Sequence, residues 1–165
     1  MSSLSLTAYK ALTRSAKAAS PQTYEERPEG LLIWGVVHDD QSARALIYLV
    51  DRLRMLRGPC SLLVTYSGKR PHIPKRKGML CHEVPPETTE ASQAFLAHWQ
   101  PSYCLWFGGE LRPALIAEAH QSEVPMALLA GDGALLDQPI WRWIPSLARE
   151  TLDAFKTLKA KDAEG

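Results

Sequence analysis

Short apolar runs alternate along the chain with segments whose apolar residues recur every three or four positions. The short runs are typical of strands buried on both faces of a parallel sheet. The periodic segments are typical of amphipathic helices. The pattern predicts strands at residues 31–37, 61–65, 79–84, 103–107 and 125–129, and helices at residues 42–57, 88–100, 110–121 and 146–159.

Strands that alternate with helices in this way predict an α/β fold with a Rossmann-like, doubly wound and mostly parallel sheet. Right-handed crossovers restrict the strand order, and we expect 3-2-1-4-5. The chain is long enough for one domain with a substantial core. We place that domain at residues 27–165.

A short amphipathic helix is predicted near the N-terminus, followed by a proline- and glycine-containing linker, which together occupy residues 1–26. Its apolar residues are Leu4, Ala8, Ala11, Leu12 and Ala16, and its cations are Lys10, Arg14 and Lys17. Two placements fit this pattern. The helix either packs on the domain or lies on an anionic membrane surface.

The segment 103–132 forms one predicted βαβ unit, in which a glycine turn joins the strand to the helix. The turn is Gly108-Gly109-Glu110, and it places the carboxylate of Glu110 at the start of the helix. Ligands of open α/β sheets bind at this edge, beyond the carboxyl ends of the strands. The two glycines would let backbone approach a ligand, although the G-x-G-x-x-G spacing of nucleotide-binding loops is absent.

Charge is distributed unevenly, although the formal net charge is only +1. Eight Lys and Arg residues and no acid lie between Arg52 and His82. Lys69 and Arg70 follow the second predicted strand, so we expect them at the same sheet edge as residues 38–40. This cationic rim suits a phosphorylated ligand, and a solvated loop is the alternative. Nucleic acid is not favoured, because no aromatic residues are interleaved with the cations.

Cysteine and histidine spacing predicts no metal site and no disulfide framework. The three cysteines lack CxxC spacing, and the five histidines are scattered. Two of the cysteines lie in apolar, strand-like runs, where buried and reduced thiols are expected, and this fits a reducing compartment. The chain contains no apolar run of the length that a transmembrane helix requires.

Three segments resemble the N-terminal domain of the 3-deoxy-D-manno-octulosonic acid (Kdo) transferases. The first is Arg27-Pro-Glu-Gly-Leu-Leu-Ile-Trp34, which is similar to the lead-in to the family's first strand. The second runs from Ala97-His-Trp-Gln-Pro101 to Glu110-Leu-Arg-Pro-Ala-Leu-Ile116, and the third is Val124-Pro125 at the start of an apolar strand. Their order and spacing match the family from about residue 27 onward.

The resemblance implies one half of a GT-B glycosyltransferase of lipopolysaccharide biosynthesis. In that family the N-terminal domain holds the acceptor, a lipid A precursor, at the cytoplasmic face of the inner membrane. The donor, CMP-Kdo, is bound by a C-terminal domain, which we expect to lie outside this chain. No cofactor or metal is implied, and the isolated domain is expected to be inactive.

The chain departs from the family pattern at the catalytic base. The family has Ser-Val-Gly-Glu after its first strand, and Gln41 and Ser42 stand at the Gly-Glu position here. A serine is not a base near neutral pH without an activating neighbour. Asp39 or Asp40 could take this role, and helix capping is the competing role for both.

The predicted catalytic residues are therefore Asp40 and Glu110. The predicted substrate-binding residues are His38, Asp39, Lys69, Arg70, Gly108, Gly109, Arg112 and Asp132. Among them, Arg112 replaces a family tryptophan, and Asp132 stands where the family has an arginine. The alternative function is a non-catalytic glycolipid- or protein-binding module that has lost the base.

Overall fold

The computed structural model describes residues 3–13, 22–107, 110–131, 145–155 and 157–160. In chain order the elements are α1 (Leu4–Thr13), β1 (Leu32–Val37), α2 (Asp40–Arg57), β2 (Ser61–Tyr66), β3 (Met79–Glu83), α3 (Thr89–Trp99), β4 (Tyr103–Trp106), α4 (Pro113–Gln121), β5 (Met126–Gly131), α5 (Pro145–Asp153) and β6 (Thr157–Ala160). The α/β fold class is confirmed.

The strands form one parallel sheet in the order β3-β2-β1-β4-β5-β6. The predicted order of the first five strands is confirmed. The prediction that the last helix continues to residue 159 was wrong, because α5 ends at Asp153 and residues 157–160 pair with β5. A four-residue edge strand obtains its hydrogen bonds from its neighbour, and local periodicity does not reveal that neighbour.

Two cores lie on opposite faces of the sheet. Helices α1, α3, α4 and α5 bury their apolar residues in the larger core, around Trp34, Phe95, Trp99, Trp106 and Leu115. Helix α2 covers the other face together with Ile73 from the loop that joins β2 to β3. Right-handed crossovers account for this division, because the chain moves across the sheet in one direction up to β3 and in the opposite direction afterwards.

Helix α2 approaches the centre of the sheet closely at Gly35. A Cβ atom at this position would lie only 2.1 Å from Cδ2 of Leu46, which is itself fully buried. A larger residue would push the helix away from β1. The contact therefore sets the position of the first turn of α2, where residues 40–42 lie.

Helix α1 packs on the domain, but not through the face that its apolar spacing predicts. Tyr9 is buried, and Lys10 Nζ lies 2.6 Å from Oε1 of the buried Glu118. Leu4 and Leu12 are 91% and 68% exposed. The polar partners of Tyr9 and Lys10 determine which side of the helix faces inward, and these partners come from distant parts of the chain.

The segment before β1 is also packed. The ring of Tyr24 lies among the rings of His82, Phe95, His98 and Trp99. Arg27 donates from Nε to the Trp99 carbonyl oxygen at 2.6 Å and from Nη2 to that of Gln100 at 3.2 Å. Its guanidinium therefore binds the carbonyl groups that the end of α3 leaves unpaired.

Candidate functional site

The turn after β1 is organised by a capping box. Asp39 is the N-cap of α2, and its Oδ1 accepts hydrogen bonds from the backbone N–H and the hydroxyl of Ser42, both at 2.7 Å. Ser42 Oγ in turn accepts from the backbone N–H of Asp39 at 3.1 Å and from that of His38 at 3.2 Å. Ser42, for which the sequence comparison predicted the position of a base, is thus a buried structural cap.

The same hydrogen bonds affect the chemistry of Asp39. They stabilise its charged form, so the backbone N–H and the hydroxyl of Ser42 lower the pKa of this carboxyl group. A carboxylate with a lowered pKa is a weak proton acceptor. Of the two aspartates considered as substitutes for the family base, Asp39 is the one engaged in capping.

His38 joins the ends of β1 and β4. Its Nδ1 lies 3.0 Å from the carbonyl oxygen of Phe107 and must carry the hydrogen, because a carbonyl oxygen only accepts. Its Nε2 lies 3.4 Å from Oδ2 of Asp39, and the side chains of His38 and Asp39 are 46% and 49% exposed. His38 is therefore a half-exposed side chain at the carboxyl edge of the sheet, where the prediction placed it.

Asp40 connects α2 to the basic loop after β2. Its Oδ1 accepts a hydrogen bond from the backbone N–H of His72 at 2.7 Å. Asp40, Lys69, Arg70 and His72 all line one open pocket of about 940 Å³. The structure thus brings together three of the predicted site residues, one acid and two cations.

Arg70 lines this pocket together with Cys81, and its positive charge acts on the side chains of Cys81 and His82. Burial raises the pKa of the Cys81 thiol, and the positive charge of Arg70 partly opposes that effect. Cys81 is therefore an uncharged partner of Arg70 rather than a competing anion.

Glu110 does not lie in the first turn of α4, and the prediction that it does was wrong. The helix begins at Pro113, and Arg112 before it has an extended backbone with φ −115° and ψ 91°. Proline disfavours helical geometry in the preceding residue, so the first turn cannot extend back to Glu110. Glu110 is exposed, and it does not line the pocket that contains Asp40.

The carboxylate at the start of α4 comes instead from Glu87, which the sequence analysis missed. Glu87 Oε1 accepts from the backbone N–H of Ala114 at 2.7 Å and from the Tyr9 hydroxyl at 3.1 Å. Burial raises the pKa of Glu87, and the positive charge of Arg112 opposes this. The available signal was its position four residues after β3, at the same carboxyl edge of the sheet.

Arg112 is engaged within the protein. Its Nε lies 3.4 Å from Oε2 of Glu87, its Nη2 donates to the carbonyl oxygen of Pro85 at 2.8 Å, and its side chain is 14% exposed. The predicted role of Arg112 as a substrate-binding cation therefore competes with these internal contacts. Gly108, Gly109 and Asp132 lie outside the described residues.

Two further features bear on the chemistry. In the part of the chain that the structure describes, no group of His, Cys, Asp and Glu side chains is placed to hold a metal ion. Within the same ranges, no helix combines the length and the apolar character that a membrane crossing requires.

Residues 41–165 match the family model described as 3-deoxy-D-manno-octulosonic-acid transferase (kdotransferase). The match covers three quarters of the chain and includes the basic loop and the whole βαβ unit. It begins directly after Asp40, so residues 38–40 lie before it. No curated protein and no solved structure matches the chain significantly.

Proposed function

We propose that this chain is the acceptor-side domain of a Kdo transferase. The chain belongs to the 3-deoxy-D-manno-octulosonic-acid transferase family. Membership itself identifies a glycosyltransferase domain of lipopolysaccharide biosynthesis. The proposal adds the acceptor, a lipid A precursor, and the donor, CMP-Kdo, which a second domain would bind. It also assigns roles to residues of this chain.

The observation that carries the proposal is the pocket that Asp40 shares with Lys69 and Arg70. Glycosyl transfer by direct displacement needs a base for the acceptor hydroxyl and cations for an acidic acceptor. During the reaction the hydroxyl oxygen forms a bond to the anomeric carbon of Kdo. The bond from that carbon to the CMP oxygen breaks, and CMP leaves with the electron pair.

Asp40 is the proposed base. Oδ1 is occupied by the His72 backbone N–H, and Oδ2 accepts no hydrogen bond from a described residue. Oδ2 is therefore available to take the hydroxyl proton. The His72 contact holds the carboxylate in one orientation, which favours proton transfer from a bound substrate.

Lys69 and Arg70 are the proposed ligands of the acceptor's phosphate groups, because ammonium and guanidinium groups form charge-assisted hydrogen bonds with phosphate. Glu110 and His38, which follow β4 and β1, are proposed to orient sugar hydroxyl groups. Gly108, Gly109 and Asp132 are retained as substrate-binding residues on the basis of the sequence alone.

A peripheral membrane contact completes the proposal. The apolar residues Leu4, Ala8, Ala11 and Leu12 lie on the exposed side of α1. An exposed apolar stripe on a surface helix favours insertion into the boundary between headgroups and acyl chains. Such a contact would hold the domain at the cytoplasmic face of the inner membrane, where the acceptor lies.

The second candidate function is a non-catalytic module that binds an anionic glycolipid or a protein. It is favoured by one observation. Ser42, which the resemblance places at the family's base position, is buried in the capping box. Ser42→Glu is therefore a poor test of lost activity, since it would break the cap as well as add an acid.

The discriminating experiment compares Asp40→Asn with Asp39→Asn in the full-length transferase. Both substitutions remove one negative charge, and asparagine preserves the N-cap at position 39. If Asp40 is the base, Asp40→Asn should lower kcat by about 100-fold or more while KM for the acceptor changes little. Asp39→Asn should retain nearly full activity.

Radiolabelled transfer from CMP-Kdo to a lipid A precursor provides the readout. Full turnover in Asp40→Asn would contradict the proposed role of Asp40. No transfer by the wild-type protein, combined with retained acceptor binding, would favour the binding module.

A further inference from the structure

The two faces of β4 and β5 are covered to different extents. Cys104, Trp106, Met126 and Leu128 face the larger core and are at most 6% exposed. The alternate residues face the α2 side, and they are only partly covered. Tyr103 is 51% exposed, and Leu105, Ala127 and Leu129 are half-buried.

This difference follows from the topology. Every described helix after β3 belongs to the face with the larger core, because the chain crosses the sheet in a single direction from β3 onward. Among the described elements, α2 is the only helix on the other face, and it lies over β1 and β2. Parallel sheets are normally covered on both faces. The β4–β5 half of the α2 side lacks such a cover within the described residues.

The part of this region that lies over β4 and β5 has the width of one helix. Neighbouring strands lie about 4.8 Å apart, so β4 and β5 together span roughly the 8–10 Å that separates packed helices. Leu49, Leu53 and Leu56 form a leucine stripe at helical spacing on α2, and Leu53 of this stripe lines a cleft together with Tyr103 and Leu105. We call this region, with Tyr103, Leu105, Ala127 and Leu129 as its floor, the β4–β5 slot.

A cleft of about 420 Å³ marks one end of the slot. It is lined by Leu31, Ile33, Leu53, Tyr103 and Leu105, together with Cys60, Gly58 and Arg57. Leu56, which follows Leu53 by three residues on α2, is 73% exposed. A cleft of this size accepts large apolar side chains from a partner.

The charges at the slot indicate the character of the partner. Arg57 lines the cleft, and none of the described residues that line it is an acid. Arg52 lies one turn before Leu56, and neither arginine forms an ion pair with a described residue. The nearby Asp51 is already paired with Arg54 and Arg76. A two-fold contact with a second copy would bring arginines together, because each copy presents the same patch.

We infer that the β4–β5 slot is a docking site for an amphipathic helix with leucine-like residues on one face and acidic residues beside them. The apolar face would pack on the floor of the slot, and the acids would pair with Arg52 and Arg57. This inference does not depend on the proposed transferase reaction.

The test uses a fluorescein-labelled helical peptide of about 18 residues, which is five helical turns, with Leu at i, i+3, i+4 and i+7 and Glu beside them. The wild-type protein should bind it saturably. Leu56→Glu should weaken binding about tenfold or more, because it places an acid in the leucine stripe. Met55→Glu is the matched control, since Met55 is 79% exposed but lies outside the leucine stripe. It should change binding less than twofold.

A second variant, Tyr103→Glu, probes the floor of the slot independently, with circular dichroism as the check that the fold persists. A peptide with Lys in place of Glu should bind more weakly than the acidic peptide. The inference is overturned by absence of saturable binding, or by equal losses in Leu56→Glu and Met55→Glu. It is also overturned if the wild-type protein self-associates and Leu56→Glu abolishes that association, because the slot would then belong to a second copy.

Discussion

Oε1 of Glu87 lies 2.7 Å from the backbone nitrogen of Ala114, so a carboxylate from the loop after β3 caps the helix that follows β4. The same oxygen accepts from Tyr9, and Arg112 lies beside the other oxygen. One buried acid thus connects α1, the β3–α3 loop and the first turn of α4.

The pH dependence of stability should reveal the buried Glu87. Because burial raises its pKa above the ordinary value of 4.5, the fold favours the protonated carboxyl. The contribution of the protonated Glu87 to the free energy of unfolding is fully present below the ordinary pKa. It is lost as the pH rises through the higher pKa of the folded state. Glu87→Gln removes this titration and keeps an oxygen that can accept from Ala114.

Urea unfolding at several pH values between 4 and 8 tests this prediction. The stability of the wild-type protein relative to Glu87→Gln should fall as the pH rises across this interval. Parallel pH profiles for the two proteins would show that Glu87 has the same pKa in the folded and unfolded states.

Asp39 should behave as a helix cap. Asp39→Ala removes the acceptor for the Ser42 N–H and should lower the free energy of unfolding by about 1 kcal/mol. Asp39→Asn should lower the free energy of unfolding by only a few tenths of the loss seen in Asp39→Ala, because asparagine also caps helices. Chemical denaturation of the three proteins at pH 7 makes the comparison, and equal losses in both variants would contradict the capping role.

Gly35 should not tolerate a side chain. Gly35→Ala places a Cβ 2.1 Å from Cδ2 of Leu46, so Leu46 must change rotamer or α2 must shift. We expect a loss of stability of about 1–3 kcal/mol. Leu46→Ala alone should cost about 2–5 kcal/mol, because it leaves a cavity.

The double variant Gly35→Ala, Leu46→Ala should cost less than the sum of the single losses, since the added methyl group occupies part of the space that Leu46 leaves. Thermal or urea unfolding of all four proteins gives the coupling. Strict additivity would show that the two residues do not compete for the same space.

The pocket cations should determine the affinity for an anionic glycolipid. Lys69→Gln and Arg70→Gln should each weaken binding to vesicles that contain lipid A about three- to tenfold at low salt, and added salt should reduce the difference. Lys77→Gln is the matched control, because Lys77 lies in the same loop but does not line the pocket.

Co-sedimentation of the protein with these vesicles, compared with vesicles of neutral lipid, measures the effect. Equal weakening by all three substitutions would indicate a non-specific attraction of the loop to anionic surfaces. It would contradict a defined role for Lys69 and Arg70.

Local pattern predicted most of the fold. Apolar runs identified β1 to β5, and the direction rules for parallel strands supplied their order. The last helix and the start of α4 were misjudged for different reasons. Residues 157–160 obtain strand geometry from β5, whereas the X-Pro restriction at Arg112 was visible in the sequence and was outweighed by the helical period around it.

The candidate site was predicted less completely, because its chemistry depends on which loops meet. The sequence placed Asp40, Lys69 and Arg70 at one edge of the sheet, since parallel strands all end there. The sequence did not show that Asp39 and Ser42 form the reciprocal hydrogen bonds of a capping box. It also did not show that Arg112 pairs with Glu87. The contact partners of those side chains come from segments that are brought together only when the sheet forms.

By itself, the sequence determined the strand order, the family and the edge of the sheet where polar side chains collect. The strand order and the edge follow from periodicity and chain direction, and the family follows from short motifs, all of which can be read along the chain. Only the tertiary structure decided that Glu87 is the acid at the start of α4, that α1 turns its apolar stripe outward, and that half of one sheet face lacks a described cover. Burial and hydrogen bonding between distant residues control these features, and no local pattern encodes them.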